Sequence, residues 1–464
     1  MAKKKPAANL FEEPPLRSYR SVNNRYLIID WASVSYHKMF SLNTAKNREK
    51  YGFQGPEGEI KLWRTFMIDE LLKLIGLFDP MHIVFALEGP GSWRKDLIKD
   101  YYTKHATVYY DKTSYYVKSD NVAYSVQKAA DGGYGVLPIE VDSFPQLESL
   151  NHKKLGELPP DKQDMLWHIY TPKGQPILPS YKGQRGSNEW PFSVDRKVWR
   201  KYKEQFAKEV APIFRARAVD CDGAEGDDVI YASAKKFSAM SDDVIIVTHD
   251  SDMLQIHFDK VKIFDHIREN FMSVDDPQKY LDVKVLAGDD SDNIRGMSFI
   301  DTKTGKYSEK VKKRFGPGTA AKFLDKFPNV YDVANNNGWG EQYMRNRKLI
   351  DLSCTPEEVS KRLDNILSQP EPEVCGLELM EFWDVEPYYR DLMQSMRTYG
   401  YRSLIPESMA VKKIPVAMPE VRSEPDGVTF MNIPKSDGSK SNRPKLDGFT
   451  VRDVDGLETL GKLL

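Results

Sequence analysis

Short, uninterrupted apolar runs recur along the first 270 positions, each separated from the next by longer stretches with helical spacing. Arg25-Tyr26-Leu27-Ile28-Ile29-Asp30 is the first, and it ends on a carboxylate. His82-Ile83-Val84-Phe85-Ala86-Leu87-Glu88 is the second; it also ends on an acid and runs into the turn Gly89-Pro90-Gly91. Val244-Ile245-Ile246-Val247 and Val261-Lys262-Ile263-Phe264 supply two more. Runs apolar on both faces suit strands covered on both sides. Between them, Leu62–Phe78 and Phe192–Ala211 carry apolar residues at helical intervals. The alternation predicts an α/β fold with a mainly parallel central sheet flanked by helices and a site at the carboxyl edge of the strands.

The rest of the chain is read around that sheet. Residues 1–24 are polar and proline-bearing, an expected flexible arm. The sheet domain takes 25–102 and 180–274. Between them, 103–179 is rich in Tyr, Gly, Pro and Lys without a clear period, and reads as a large insertion. Residues 275–410 read as a helical region, in which Glu381-Phe382-Trp383 and Tyr388-Tyr389 are expected to pack. Residues 411–464 read as a tail of linker-like composition. It closes on an apolar peptide, 454–464, with Leu457, Leu460, Leu463 and Leu464. That peptide either docks in a groove of a partner such as a sliding clamp or folds back on its own chain.

Composition narrows the class only a little. The 67 Lys and Arg balance 68 Asp and Glu, so nucleic-acid binding requires local segregation of charge. Cys221, Cys354 and Cys375 are scattered without metal spacing, which suits a reducing compartment. No apolar segment follows the basic Met1-Ala2-Lys3-Lys4-Lys5, and the longest apolar run, Leu71–Phe78, is too short to span a bilayer. A soluble protein of the bacterial or phage-infected cytoplasm, with no membrane partner, is expected.

The chemistry lies in the acids. Ala224-Glu225-Gly226-Asp227-Asp228 and Thr248-His249-Asp250-Ser251-Asp252 put five carboxylates within 225–252. Gly288-Asp289-Asp290-Ser291-Asp292-Asn293 follows. Crowded carboxylates must take up protons or hold a cation. An all-oxygen donor set favours magnesium or manganese over zinc. Glu225 and Asp228 share a face if a helix starts there, as do Asp289 and Asp292. Asp250 and Asp252 share a face on an extended strand end. The competing reading is that these acids cap helices and line solvated loops.

The order of motifs adds a second line of argument. Asp30 ends an early strand, and Glu88 precedes Trp93-Arg94. Tyr181-Lys182-Gly183-Gln184-Arg185 comes next, then the three acid clusters and Phe315-Gly316-Pro317-Gly318-Thr319-Ala320-Ala321-Lys322. In this order the chain resembles the 5′-nuclease (flap endonuclease and 5′-3′ exonuclease) family, most of all its phage ribonuclease H-type branch. Asn346-Arg347-Lys348-Leu349-Ile350-Asp351 adds to that likeness. The resemblance covers roughly residues 25–100 and 181–365. It implies a PIN-like fold with a helix–three-turn–helix DNA-binding region. It also implies two divalent ions: Asp30, Glu88, Glu225 and Asp227 or Asp228 would face one, and Asp250, Asp252, Asp289 and Asp292 would face or orient the other. Such a pair serves in-line phosphodiester cleavage. Glu88 stands where the family has Asp, and Gly226 where it commonly has Ala. About eighty residues separate Trp93-Arg94 from Tyr181-Lys182, so the arch over the site is expected to be enlarged or restructured. Tyr101-Tyr102-Thr103-Lys104-His105 is a rival for the arch motif.

The resemblance also assigns the cations. Lys182, Arg185 and Arg94 are candidates to stabilise charge on the scissile phosphate. Tyr181, Arg314, Gly316, Gly318, Thr319 and Lys322 are candidates to hold DNA, the glycine-flanked helix start through its free amides and with a potassium ion in the family. Lys310, Lys312 and Lys313 reinforce that stretch, which an insertion around Phe299–Ser308 lengthens. The Val194–Phe206 segment interleaves bases with Trp199, Tyr202 and Phe206; burial of these aromatics is the simpler reading, and a single-strand passage with stacked bases the other. The expected activity is removal of 5′ ends, flaps or RNA primers during DNA replication. The alternatives are a non-catalytic DNA-structure-binding or scaffold protein on a nuclease-like fold, and a PIN-type ribonuclease.

Overall fold

A computed structural model describes residues 24–43, 47, 55–112, 114–119, 122–129, 133–139, 144–170, 177–178, 180–182, 190–298, 300–308 and 314–370. By its internal contacts the chain divides into two units, Met1–Cys375 and Gly376–Leu464. Every described residue belongs to the first. The N-terminal arm, Arg185, Lys310, Lys312, Lys313, the aromatic pairs near 382 and 388, and the apolar peptide 454–464 lie outside the described residues.

The central sheet has six strands: β1 (Arg25–Asp30), β2 (His82–Ala86), β8 (Ala216–Val219), β9 (Asp243–Val247), β10 (Val261–Asp265) and β11 (Asn270–Met272), in the order β11-β10-β9-β1-β2-β8. All neighbours are parallel except the edge pair β10–β11. The four apolar runs became four of these strands, and β8 and β11 add two that the apolar pattern did not mark. Leu27, Ile28, Val244, Ile245, Ile246 and Val247 are wholly buried.

The order reverses between β1 and β9. From β1 the chain moves outward to β2 and later β8, then returns to lie on the other side. At such a point the flanking loops part and leave a crevice at the carboxyl ends. Asp30 closes β1 and Thr248 to Asp250 follow β9, so two acids meet at that crevice.

Helices cover both faces. On one side the Gly55–Phe78 and Arg196–Val210 helices interlock through aromatics: Trp63 packs edge-on against Phe206 at 5.2 Å and Trp199 at 5.9 Å. Trp199, Tyr202 and Phe206 are therefore buried and do not offer a stacking wall. On the other side the Gly226–Ser238 helix lies over β1, β2 and β9, and the Glu357–Leu367 helix packs on it.

The region after residue 105 is built differently. Five antiparallel strands, β3 (Thr107–Tyr110), β4 (Ser114–Ser119), β5 (Val122–Lys128), β6 (Tyr134–Ile139) and β7 (Asn151–Lys154), form a second sheet in the order β6-β5-β4-β3-β7. Val108, Val117, Val126 and Val136 face one way and join a core with Ile98, Leu281, Phe323 and Tyr343. The sheet and the helical segment beyond residue 277 thus share one apolar interior.

Candidate functional site

The acids arrive from separate strand ends and helix starts, and hydrogen bonds tie them to one another. The Thr248 hydroxyl donates to Asp30 Oδ2 at 2.7 Å across the β1–β9 crevice, and accepts from the Asp250 backbone N–H at 2.9 Å. Asp250 Oδ1 in turn accepts from the Asp252 N–H at 2.8 Å. Asp30 also caps the Trp31–Leu42 helix by accepting from the Ser33 N–H. One hydroxyl thereby sets the relative position of Asp30 and Asp250.

Glu225 comes from the far side of β2. It accepts from the hydroxyls of Ser92 at 2.8 Å and Tyr181 at 3.0 Å, and from Lys182 Nζ at 2.7 Å. The Tyr181 hydroxyl oxygen also lies 3.0 Å from Asp292 Oδ2, so its one hydrogen is shared between the two carboxylates, and Lys182 Nζ lies 3.9 Å from Asp292. The backbone joins this cluster too: the Lys182 N–H donates to the Asp292 carbonyl at 3.0 Å. A cavity of about 10 Å³, bordered by Arg94, Tyr181, Asp227, Asp252, Asp289 and Asp292, marks where the acids converge. That is room for about one water.

The electrostatics follow from this crowding. Burial pushes Asp30 up to about 6, with Asp250 and Glu88 adding to the effect and the Ser33 and Thr248 hydrogen bonds opposing it. Burial likewise raises Asp252 to about 6, reinforced by Asp250 and opposed by Lys284. Asp227 is pushed well above the usual carboxylate range by burial and by the charges of Asp250, Asp30 and Glu225, against the pull of Lys182. Burial alone would raise Glu225 too, but Lys182 and Arg94 hold it below its ordinary value.

Three expectations change on this geometry. Asp228 is saturated. It takes both Arg94 guanidinium nitrogens at 2.8 and 2.9 Å, Trp93 Nε1 at 3.1 Å, the Thr355 hydroxyl at 2.8 Å and the Glu225 N–H at 2.9 Å. The helical spacing of Glu225 and Asp228 is therefore a capping arrangement, and Asp227 is the member of the pair facing the other acids. Arg94, expected beside the scissile phosphate, is 1% exposed, and its Nε donates to the Leu349 carbonyl. Its charge is spent on Asp228. Tyr181, expected to touch DNA, is 4% exposed and donates within the acid cluster.

The remaining candidates stand as follows. Glu88 is exposed, close enough for its charge to act on Asp30. Asp289 accepts from Ser291 and from Lys284. The start of the Pro317–Lys326 helix is open: a Cβ added at Gly316 or Gly318 meets nothing within 4 Å, and Lys322 is exposed. Arg314 is exposed, with Asp290 at 3.8 Å. Sequence reasoning missed Lys284, whose ammonium touches Asp252 and lies 2.9 Å from Asp289. The one available signal was a lysine five residues before the third acid cluster.

The donor set suits a hard divalent cation, since every group is a carboxylate and the one histidine among them, His249, is engaged by Asp265 at 3.0 Å. Among the described residues, no group of three or more His, Cys, Asp or Glu is arranged so that it could hold a metal ion as it stands. Lys182 and Lys284 each sit between two of the carboxylates.

Comparison with known proteins agrees with the motif order. Residues 172–284 match the family model of the 5′-3′ exonuclease, N-terminal resolvase-like domain. The chain is a relative of the 5′-3′ exonucleases. Over 142 residues it is 26% identical to a 5′-3′ exonuclease of Buchnera aphidicola, covering 28% of this chain and 44% of that one. It is 29% identical over 194 residues to the flap endonuclease of Escherichia phage T5, covering 38% and 63%. It is 23% identical over 194 residues to the ribonuclease H of Enterobacteria phage T4, covering 40% and 62%. The chain thus spans less than two thirds of the length of each of these relatives. Among solved structures, a phage T5 protein crystallised with metal ions aligns over 74% of this chain and 98% of its own, at 14% identity and a TM-score of 0.41. That score carries no argument by itself.

Proposed function

We propose that this chain is a divalent-metal-dependent 5′ nuclease that hydrolyses phosphodiester bonds at 5′ ends, flaps or RNA primers during DNA replication. The observation that carries the reading is the convergence of Asp30, Glu225, Asp227, Asp250, Asp252, Asp289 and Asp292, drawn from four segments, on one crevice. Charges that raise one another's proton affinity cost stability unless a cation offsets them.

In this proposal Asp30, Asp227 and Asp250, with Glu88 and Glu225 beside them, hold one magnesium or manganese ion, and Asp252, Asp289 and Asp292 face a second. Such ions supply positive charge for the phosphate in its transition state and lower the pKa of water. The chain's own groups do the rest. Thr248 sets the Asp30–Asp250 spacing. Lys182, whose ammonium lies 2.7 Å from Glu225, would offer positive charge to the scissile phosphate, a role proposed for Arg185 as well. Gly316, Gly318 and Thr319 offer backbone amides to a phosphate of the duplex, with Lys322 and Arg314 alongside, and a potassium ion there would serve the same contact. A sliding clamp is the proposed partner for residues 454–464.

The test is cleavage of a 5′-flap duplex with magnesium. Asp250→Asn should abolish cleavage while leaving duplex binding within about threefold, because DNA is held chiefly through phosphate contacts elsewhere. Full activity in that variant refutes the proposal. Tight flap binding by a wild-type chain inert with magnesium and with manganese would favour the scaffold reading.

A further inference from the structure

Lys284 occupies the position in the crevice that a second cation would have to contest. It lies in the last turn of the Pro277–Ala287 helix, where a positive side chain also complements the helix dipole. Its ammonium contacts Asp252 Oδ1 and lies 2.9 Å from Asp289 Oδ2, and only 17% of its side chain reaches solvent.

This placement is built. One turn earlier, Tyr280 donates to the Ser251 carbonyl at 2.9 Å, which fixes the helix against the Ser251–Gln255 turn that carries Asp252. On the other flank, Arg347 holds Asp282 of the same helix at 2.6 Å. Gly288, at φ +77°, then turns the chain sharply enough to bring Asp289 back toward Lys284. A side chain there would come within 2.3 Å of the Gly296 nitrogen. Two carboxylates from different segments are thereby gathered onto one internal ammonium.

A single positive charge between two carboxylates is the arrangement a cation would otherwise satisfy, and both carboxylates border the adjoining cavity of about 10 Å³. Resting on the reading of the crevice as a cation site, we infer that Lys284 is a resident counter-ion that a divalent cation must displace from Asp252 and Asp289. It holds the two acids in place before the ion binds, and weakens the affinity of that position relative to the one at Asp30, Asp227 and Asp250. Affinity at this position is therefore set by a competition, and the lysine, once displaced, becomes a free ammonium at the edge of the site.

The test is manganese binding to the full chain at pH 8, followed by the electron paramagnetic resonance signal of the free ion. Wild type is expected to show a tighter and a weaker class of site. Lys284→Met, or Lys284→Gln should the first variant fold poorly, should tighten the weaker class by about tenfold, since the competing charge is gone. Lys284→Arg, which keeps the charge, should stay close to wild type. In EDTA the neutral variants should melt below wild type, and manganese should raise their melting temperature by more than it raises that of wild type. Unchanged or weakened manganese binding in the neutral variants overturns the inference while leaving the cation site intact. Absence of manganese binding in the wild type would instead remove the reading on which it rests.

Discussion

Asp227 and Asp228 are neighbours of the same chemistry, and the fold gives them opposite tasks. Asp228 accepts five donors, two of them from Arg94, and its exposure is 1%. Breaking a buried pair of this kind leaves an uncompensated guanidinium, so Asp228→Asn should cost about 3–5 kcal/mol in urea denaturation. Asp227→Asn should do the reverse: it relieves repulsion, and the metal-free protein should be unchanged or more stable while divalent-dependent cleavage is lost. Equal destabilisation by both would show that the two carboxylates are not divided in this way. His266 supplies a pH prediction of definite sign. Burial, with His37 and Lys38 adding their charges against Glu70 and Asp265, depresses it to about 3; Nε2 contacts the Ser33 hydroxyl and Nδ1 is buried without a protein partner. The free imidazole takes a proton below about 6.5, so the stability it contributes is present above that pH and is lost progressively toward 3. Lowering the pH from 7 to 5 should cost wild type about 2 kcal/mol more than His266→Phe. The acid clusters were legible in the sequence because like charges seldom crowd without cause. Which acid is spent on a cap was not, since Arg94 and Thr355 lie 134 and 127 positions away from Asp228.

Four of the six strands of the central sheet were legible from their apolar runs, whereas β8 (Ala216–Val219) and β11 (Asn270–Met272), short and bearing Arg217 and Asn270, were not. Nor was the second sheet. Its strands run from four to seven residues, with Val108, Val117, Val126 and Val136 in the main core on one face and only a small cluster around Tyr109, Ala123 and Leu147 on the other, so the valines stand among tyrosines, lysines and serines that look like loop sequence. Strand pairing, which a local pattern does not contain, supplies the order. Loops between elements are also specified more tightly than their composition suggests. Gly89, just after β2, donates to the Ala224 carbonyl at 3.0 Å, and a Cβ there would fall 1.8 Å from the Cys221 carbonyl oxygen. This close approach aligns the end of β2, with Glu88, against the loop that leads into Glu225. Gly89→Ala must push the two loops apart. It should cost about 3 kcal/mol and weaken divalent-dependent cleavage with no acid altered. A variant as stable and active as wild type would show that the loops can part without consequence.

At the scale of the whole unit, the site is closed from the far end of the described chain. The segment from Leu349 to Thr355 borders the crevice: Gln255 donates to the Ile350 carbonyl at 3.1 Å and accepts from the Leu352 N–H at 2.9 Å, while Thr355 completes the shell around Asp228. The Glu357–Leu367 helix holds that segment down by burying Val359, Leu363 and Leu367 against the Gly226–Ser238 helix. The sequence showed the helix but not its task, because nothing local says that residues near 360 pack behind acids near 228. Leu363 is wholly buried, so Leu363→Ala should cost about 2–5 kcal/mol by transfer and cavity terms. The consequence for the site should be more specific than that loss. A loosened helix lets Thr355 and Leu352 withdraw, and the Arg94–Asp228 pair then loses its cover from water. Leu363→Ala should therefore lower both the melting temperature and the extra stabilisation given by manganese. A substitution of equal thermodynamic cost placed in the second sheet, such as Val117→Ala, should lower the first alone. If both variants reduce the manganese effect to the same degree, the helix acts on the site only through general stability, and its role as a closing element is refuted.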